Sequence, residues 1–281
     1  MAQDTDFSEK IERIFDQRST PLIMGILNVT PDSFFDGGKY SEEQHWLEHT
    51  KQMIEAGADL IDIGAYSTRP GAKNISETEE LQRLIKVIVS LRKNFQNLLI
   101  SVDTFRANVA EQAVVAGANI INDISGGTMD SKMFETIAKL DVPYVLMHIK
   151  GTPETMQENP VYTDVVAEVG AFFKNKVAEL NKLGVKKVIL DPGFGFGKTE
   201  EHNYQLLKNL STFQEFDLPI LAGISRKSMV NKLLNIRSKD LVNGTSILNT
   251  IAVQNGAKIL RVHDVKEAKE VVKIFEYLKG I

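Results

Sequence analysis

The chain has 281 residues, 43% of them hydrophobic and 25% charged, which is ordinary for a globular protein with a full core. Its 33 basic and 37 acidic residues leave a formal charge of −4, so no basic surface marks a nucleic acid or an anionic membrane as the main partner. The absence of cysteine excludes disulfides, thiolate metal sites and a cysteine nucleophile and fits a cytoplasmic setting, and no apolar run approaches the ~20 residues of a membrane helix.

In chain order, MAQDTDFSEKIERIF has early acids and no apolar stretch of the signal-peptide kind, and residues 1–19 read as an N-terminal extension. PLIMGILNV (21–29) reads as the first strand, followed by a long polar loop to 41 and the amphipathic helix SEEQHWLEHTKQMIEAG. ADLIDIG (58–64) is the second strand, with another long loop over 64–75 and the helix SETEELQRLIKVIVSLRKNF. LLISVD (98–103) precedes the helix RANVAEQAVVAG, and ANIINDI (118–124) and VPYVLMH (142–148) follow as strands four and five. DVVAEVGAFFKNKVAELNKLG leads to KKVILD (186–191), then come LPILAG (218–223) and AKILRVH (257–263), and DVKEAKEVVKIFEYLKG closes the chain. The apolar runs lack strict alternation, as parallel strands buried on both faces do. Several helices end on glycine (Gly57, Gly117, Gly184, Gly256), the usual residue past a helix end. Eight strand–helix units in roughly 260 residues predict a single-domain (β/α)₈ TIM barrel over 1–281, and the first turn, NVTPDSFFDGG, lacks the G-x-G-x-x-G of a doubly wound sheet.

In such a barrel, chemistry collects at the C-terminal ends of the strands. Those positions here are Asn28, Asp62 with Gly64, Asp103, Asn122 with Asp123, Met147 with His148, Asp191, Gly223 through Lys227, and Arg261 with His263. One buried aspartate is ordinarily structural, and Asp62 and Asp123 can be read so. Several acids on one rim call for a ligand, a metal or a cation to complete them. Arg69, Lys198, Arg226, Lys227, Arg261 and His263 supply cationic groups on the same rim. Arg261 and His263, two apart, face one side of the last strand and suit a diphosphate, against the plainer reading of a salt bridge to Asp264. Lys227 fits a hydrogen-bond donor better than a Schiff-base lysine. GFGFGKT (193–199) is not a phosphate-binding P-loop, since Pro192 stands where that loop needs glycine. Its glycines are expected to let the backbone approach a flat ligand, with Phe196 presenting an aromatic face. His45, His49 and His202 read as bystanders.

The blocks MGILNVTPDSFFDGG, GADLIDIGAYSTRPGA, SVDT, NDISGG, LMHIKGTPETMQ, LDPGFGFGKTEEHN, GISRKS and RVHDVKEA follow one another in an order that resembles the bacterial dihydropteroate synthases, from about residue 20 to 280. The resemblance implies a TIM barrel that joins 6-hydroxymethyl-7,8-dihydropterin pyrophosphate to p-aminobenzoate, releases pyrophosphate with Mg²⁺, is a target of sulfonamides, and is a homodimer. It implies a pterin site at Asp103, Asn122, Asp191 and Lys227, with Met147, Phe196 and Gly223 beside it. It makes Asn28 the Mg²⁺ contact, Arg261 and His263 the pyrophosphate anchors, and Thr68, Arg69, Pro70 and Ser228 the p-aminobenzoate surroundings, with Phe34 and Asp36 in the first loop. Phe35 stands where the family often has serine, a difference expected to bear on loop closure. A pterin-dependent methyltransferase, a non-catalytic pterin-binding relative and a Lys227 aldolase share parts of the pattern. The intact RVHDVKE end and the retained Arg261 and His263 weigh against the first two.

Overall fold

The computed structural model describes residues 2–29, 42–66, 75–152, 155–156, 158, 160–236 and 241–281, the side chains of residues 2–6 apart. Helix α1 (Ala2–Phe15) precedes strand β1 (Leu22–Asn28). Then come α2 (Glu42–Ala56), β2 (Leu60–Gly64), α3 (Glu77–Asn94), β3 (Leu99–Asp103), α4 (Ala107–Val115), β4 (Ile120–Asp123), α5 (Met133–Leu140) and β5 (Tyr144–Met147). The second half is α6 (Val165–Lys182), β6 (Val188–Asp191), α7 (Glu200–Lys208), a 3₁₀ turn over Leu210–Phe216, β7 (Ile220–Ala222), α8 (Ser228–Leu234), α9 (Val242–Gln254), β8 (Ala257–Val262) and α10 (Val265–Lys279). The eight strands close into one barrel in sequence order. Every neighbouring pair is parallel, including β1 with β8, where Met24 pairs with Arg261.

Two apolar layers hold the barrel. Leu22, Met24, Leu60, Leu99, Ile120, Val145, Ile189, Leu221 and Ile259 fill its interior. The alternate residues, such as Ile23, Ile61, Ile100 and Ile121, face outward into the larger core shared with the helices. Because side chains alternate along a strand, the interior set carries a parity that continues upward. From Met24 it passes to Asn28, from Leu60 to Asp62, from Leu99 to Asp103, from Ile120 to Asn122, from Val145 to Met147, from Ile189 to Asp191 and from Ile259 to Arg261. The lower interior is sealed with hydrocarbon, and the upper interior is polar.

The N-terminal extension has a structural role that composition did not reveal. It forms α1, whose Phe7, Ile11, Ile14 and Phe15 pack against the interior layer from below, with Ile14 fully buried. Lys258 at the start of β8 fixes the turn between α1 and β1, its ammonium donating to the carbonyls of Asp16 (2.7 Å) and Ser19 (2.6 Å). The other end is the open one. Among the described residues no helix is long and apolar enough to cross a membrane.

Candidate active site

The centre of the polar mouth is Arg261. Its Nε donates to Asp62 Oδ2 at 2.7 Å and its terminal nitrogen to Asp103 Oδ2 at 3.2 Å. Asp62 is fully buried and also accepts from Ser101 Oγ (2.6 Å) and Asn122 Nδ2 (3.1 Å). The cation that the rim acids require is therefore a side chain of the protein, and it comes from the opposite end of the sequence. Asp62, read above as structural, orients two of the expected site residues, Arg261 and Asn122. The pairing with Asp264 weighed for Arg261 belongs to Arg226, whose guanidinium grips Asp264 at 3.0 and 2.5 Å. Asp123 lies on the outward parity, where Tyr144 Oη (2.6 Å) and the amides of Ser125 and Gly127 satisfy it.

With its amide nitrogen spent on Asp62, Asn122 is left with a buried Oδ1 that has no hydrogen-bond partner. A buried acceptor without a donor costs roughly 1–3 kcal/mol, so this atom is a place for a ligand N–H. Asp191 accepts from the amide of Gly193 at 2.7 Å through Oδ1 only. Burial raises its pKa against the opposing pull of that amide and of Lys227. Burial likewise lifts Asp103 to about 7, with Arg261 opposing and the charge of Asp62 adding to the rise. Lys227, just ahead of α8, donates to the carbonyl of Phe194 and lies 4.0 Å from the ring centre of Phe196. Burial lowers its pKa to about 7, with Asp191 opposing. Arg261, despite burial, is held firmly charged by Asp62, Asp103 and Asp191. Asp62, Asp103 and Asp191 thus face Arg261 and Lys227, and the charge of Lys198 also acts on Asp191.

An apolar wall of Phe105, Ile124, Met147, Ile149 and Met156 flanks these groups, with Tyr66 and Phe196 packed against it. Gly223, whose missing side chain leaves Asp191 Oδ2 as near as 3.9 Å from where a Cβ would stand, borders the same space. His263 is steered by Ser225, whose Oγ meets its Nδ1 at 3.2 Å and accepts from its backbone amide at 3.1 Å. Ser225 was not singled out from the sequence, although it lies between two residues that were. Ser228 is exposed at the first turn of α8. Phe34, Phe35, Asp36, Thr68, Arg69 and Pro70 lie outside the described residues.

Two expectations need correction. Lys198 is not a rim cation for substrate but is 4% exposed, and its ammonium meets His148 Nδ1 (3.0 Å) and the carbonyls of His148, Gly193 and Phe196. The glycines of 193–197 are also required by the packing of the protein itself. Gly193 (φ +69°) brings its Cα so close to β5 that a Cβ would stand 2.0 Å from the His148 carbonyl oxygen, and at Gly197 (φ +62°) it would stand 2.2 Å from that of Lys150. His202, read as a bystander, caps α7 by accepting from the amide of Thr199 (3.2 Å).

A magnesium ion finds few protein ligands here. Among the described residues no group of three or more His, Cys, Asp or Glu side chains could hold a metal. Asn28 Oδ1 stands across Gly64 from Asp103, each 3.7 Å from the position a Gly64 Cβ would take. One hard oxygen beside a largely committed carboxylate fits magnesium in its common manner, bound mostly through substrate phosphates and water.

The mouth of this TIM barrel thus carries acceptors at Asn122 and Asp191 and a donor at Lys227. The family profile described as "Pterin binding enzyme" matches residues 24–263. The dihydropteroate synthase of Escherichia coli strain K12 is 46% identical over 260 residues, 92% of each chain. The crystal structure of the Yersinia pestis dihydropteroate synthase with a sulfonamide drug superposes with a TM-score of 0.87 at 45% identity, over 93% of this chain and 95% of that one. The Xanthomonas albilineans dihydropteroate synthase with 4-aminobenzoic acid gives 0.87 at 39% identity, over 95% of each chain. The chain belongs to the dihydropteroate synthases, transferases within the pterin-binding enzymes.

Proposed function

We propose that the mouth condenses 6-hydroxymethyl-7,8-dihydropterin pyrophosphate with p-aminobenzoate to give 7,8-dihydropteroate and pyrophosphate. The observation that carries this reading is the orphaned Asn122 Oδ1, flanked by Asp191 and Asp103 as acceptors and by Lys227 as a donor. A dihydropterin presents an amino group and ring N–H donors on one edge and acceptors elsewhere, the complement of that set. Met147 and Phe196 supply the apolar faces between which a flat ring lies.

The bond from the exocyclic carbon to the diphosphate oxygen breaks first, and its electron pair leaves with pyrophosphate. Arg261 has five N–H donors and uses two directions on Asp62 and Asp103, so the rest remain for the leaving group. His263, oriented by Ser225, stands beside it. Asn28 Oδ1 is the protein oxygen that would hold a magnesium ion, which would supply neutralisation of the leaving charge when bound. The negative charge of Asp103 favours the pterin-centred cation, the preorganised electrostatic effect that dominates many active sites. The lone pair of the arylamine then forms the new C–N bond, and the amine proton is lost to solvent. The family resemblance makes Thr68, Arg69, Pro70 and Ser228 the p-aminobenzoate surroundings, where sulfonamides would compete, and assigns Phe34 and Asp36 to the first loop.

The reading includes a homodimer and a cytoplasmic setting. Ile274, Tyr277 and Leu278 on α10 and Ile281 just past it are exposed and apolar, and Ile247 on α9 and Leu233 on α8 are also exposed. Such a patch suits a second copy of the chain. In the deciding experiment, purified protein given both substrates releases pyrophosphate, and Asp103→Asn lowers turnover at saturating substrate by about 100-fold. Full turnover by Asp103→Asn would refute the electrostatic role.

A further inference from the structure

Lys198 is the buried charge that this mechanism leaves unused. Its ammonium has four acceptors: His148 Nδ1 at 3.0 Å and the carbonyl oxygens of His148, Gly193 and Phe196 at 3.2, 3.0 and 3.0 Å. Two of these lie at the end of β5 and two in the turn that follows β6, so one side chain ties the two loops together. Burial lowers the pKa of Lys198 well below its usual value, and its N–H donors, three at most, are shared among these four acceptors. Burial and the charge of Lys198 hold the imidazole neutral, with its pKa pushed down to about 2. A second tie, Tyr162 Oη to the Gly197 carbonyl at 2.8 Å, closes the same turn from outside.

The turn so clasped carries three of the groups that shape the mouth. Gly193 donates its amide to Asp191, the Phe194 carbonyl accepts from the Lys227 ammonium, and the Phe196 ring lies 4.0 Å from that ammonium. Were cohesion the only requirement, an apolar side chain would serve better. Burying an ammonium incurs several kcal/mol of desolvation, and apolar replacements of buried charges are often neutral or stabilising. What the amine adds is direction, since it converges two fixed carbonyls of this turn and one from the end of β5 onto a single point.

We propose that Lys198 is a positioning residue for the heterocycle pocket, acting through the 193–197 turn to place Lys227 and Phe196. The inference rests on the functional reading above, and its test separates the two. Wild-type protein is titrated with a pterin lacking the diphosphate, followed by the pterin's fluorescence, and steady-state KM values are measured for both substrates. In folded Lys198→Met, judged by an unchanged far-UV spectrum, pterin affinity falls about tenfold or more, as for loss of hydrogen bonds to a charged group. The KM for the pterin substrate rises in step, and the KM for p-aminobenzoate does not change. Adding Lys198→Met to Lys227→Met costs less than the sum of the two single losses, because the first acts in part through the second.

Folded Lys198→Met that binds the pterin as the wild type does would overturn the proposal, and so would fully additive losses in the double variant. Should Lys198→Met not fold, Lys198→Gln takes the same test. It keeps two N–H donors for the four acceptors and is expected to show an intermediate loss, while wild-type affinity in it would again overturn the proposal. A wild-type protein that binds no pterin overturns the functional reading itself.

Discussion

Asp62 has three partners and no exposure, so removing its charge tests how the mouth is held. In Asp62→Ala the Arg261 guanidinium loses its 2.7 Å contact and keeps only Asp103 at 3.2 Å, while Ser101 Oγ and Asn122 Nδ2 lose their acceptor. Breaking a buried pair by deleting one member costs about 3–5 kcal/mol. Arg261 is 20% exposed and retains Asp103, which places this case at the lower end, about 3 kcal/mol. For a domain of this size each kcal/mol lowers the melting temperature by about 2–4 °C, giving a drop of about 6–12 °C. Asp62→Asn keeps the shape and one acceptor but not the charge, and about half of that loss is expected, in the range of a hydrogen bond to a charged group. Thermal unfolding followed by far-UV circular dichroism at neutral pH measures both. A drop under about 2 °C in Asp62→Ala would show that Arg261 does not depend on this carboxylate.

Two further outcomes follow from the same geometry. Asp103 must be ionised to face a developing cation, and its carboxyl titrates at about 7, so kcat/KM for the pterin substrate rises as pH increases through neutrality. Lys227 must keep its proton to donate, and it too titrates at about 7, so the rate falls again above neutrality. The resulting profile is a narrow bell whose alkaline limb moves upward in Lys227→Arg, since a guanidinium does not titrate in this range. A profile flat from about pH 5 to about pH 9 would contradict both assignments. At the opposite end of the barrel, Ile14→Ala empties a fully buried position under the interior layer and is expected to cost about 2–5 kcal/mol in urea unfolding, with both KM values unchanged. An unchanged unfolding midpoint would show that α1 does not support the barrel.

Much of the mouth is legible in the sequence because strand parity is a local rule. Once Leu60, Leu99 and Ile259 are known to point inward, Asp62, Asp103 and Arg261 must do so as well, and the eight apolar runs supply the frame. The N-terminal helix was harder to read. Its apolar residues are few and belong to no strand–helix unit, and their role exists only because a barrel has a lower end to cover.

By itself the sequence determined the order and number of the strands, the closing glycines of the helices and the set of residues able to reach the rim, since all of these follow from spacings of a few residues. Only the tertiary structure decided which partner each charge takes. Arg261 meets carboxylates 199 and 158 residues away because closure brings β8 beside β1 and across from β2 and β3. Lys198 disappears into four acceptors because two loops happen to meet around it. Pairing energies depend on distance and solvent access in three dimensions, and a linear spacing rule carries information on neither.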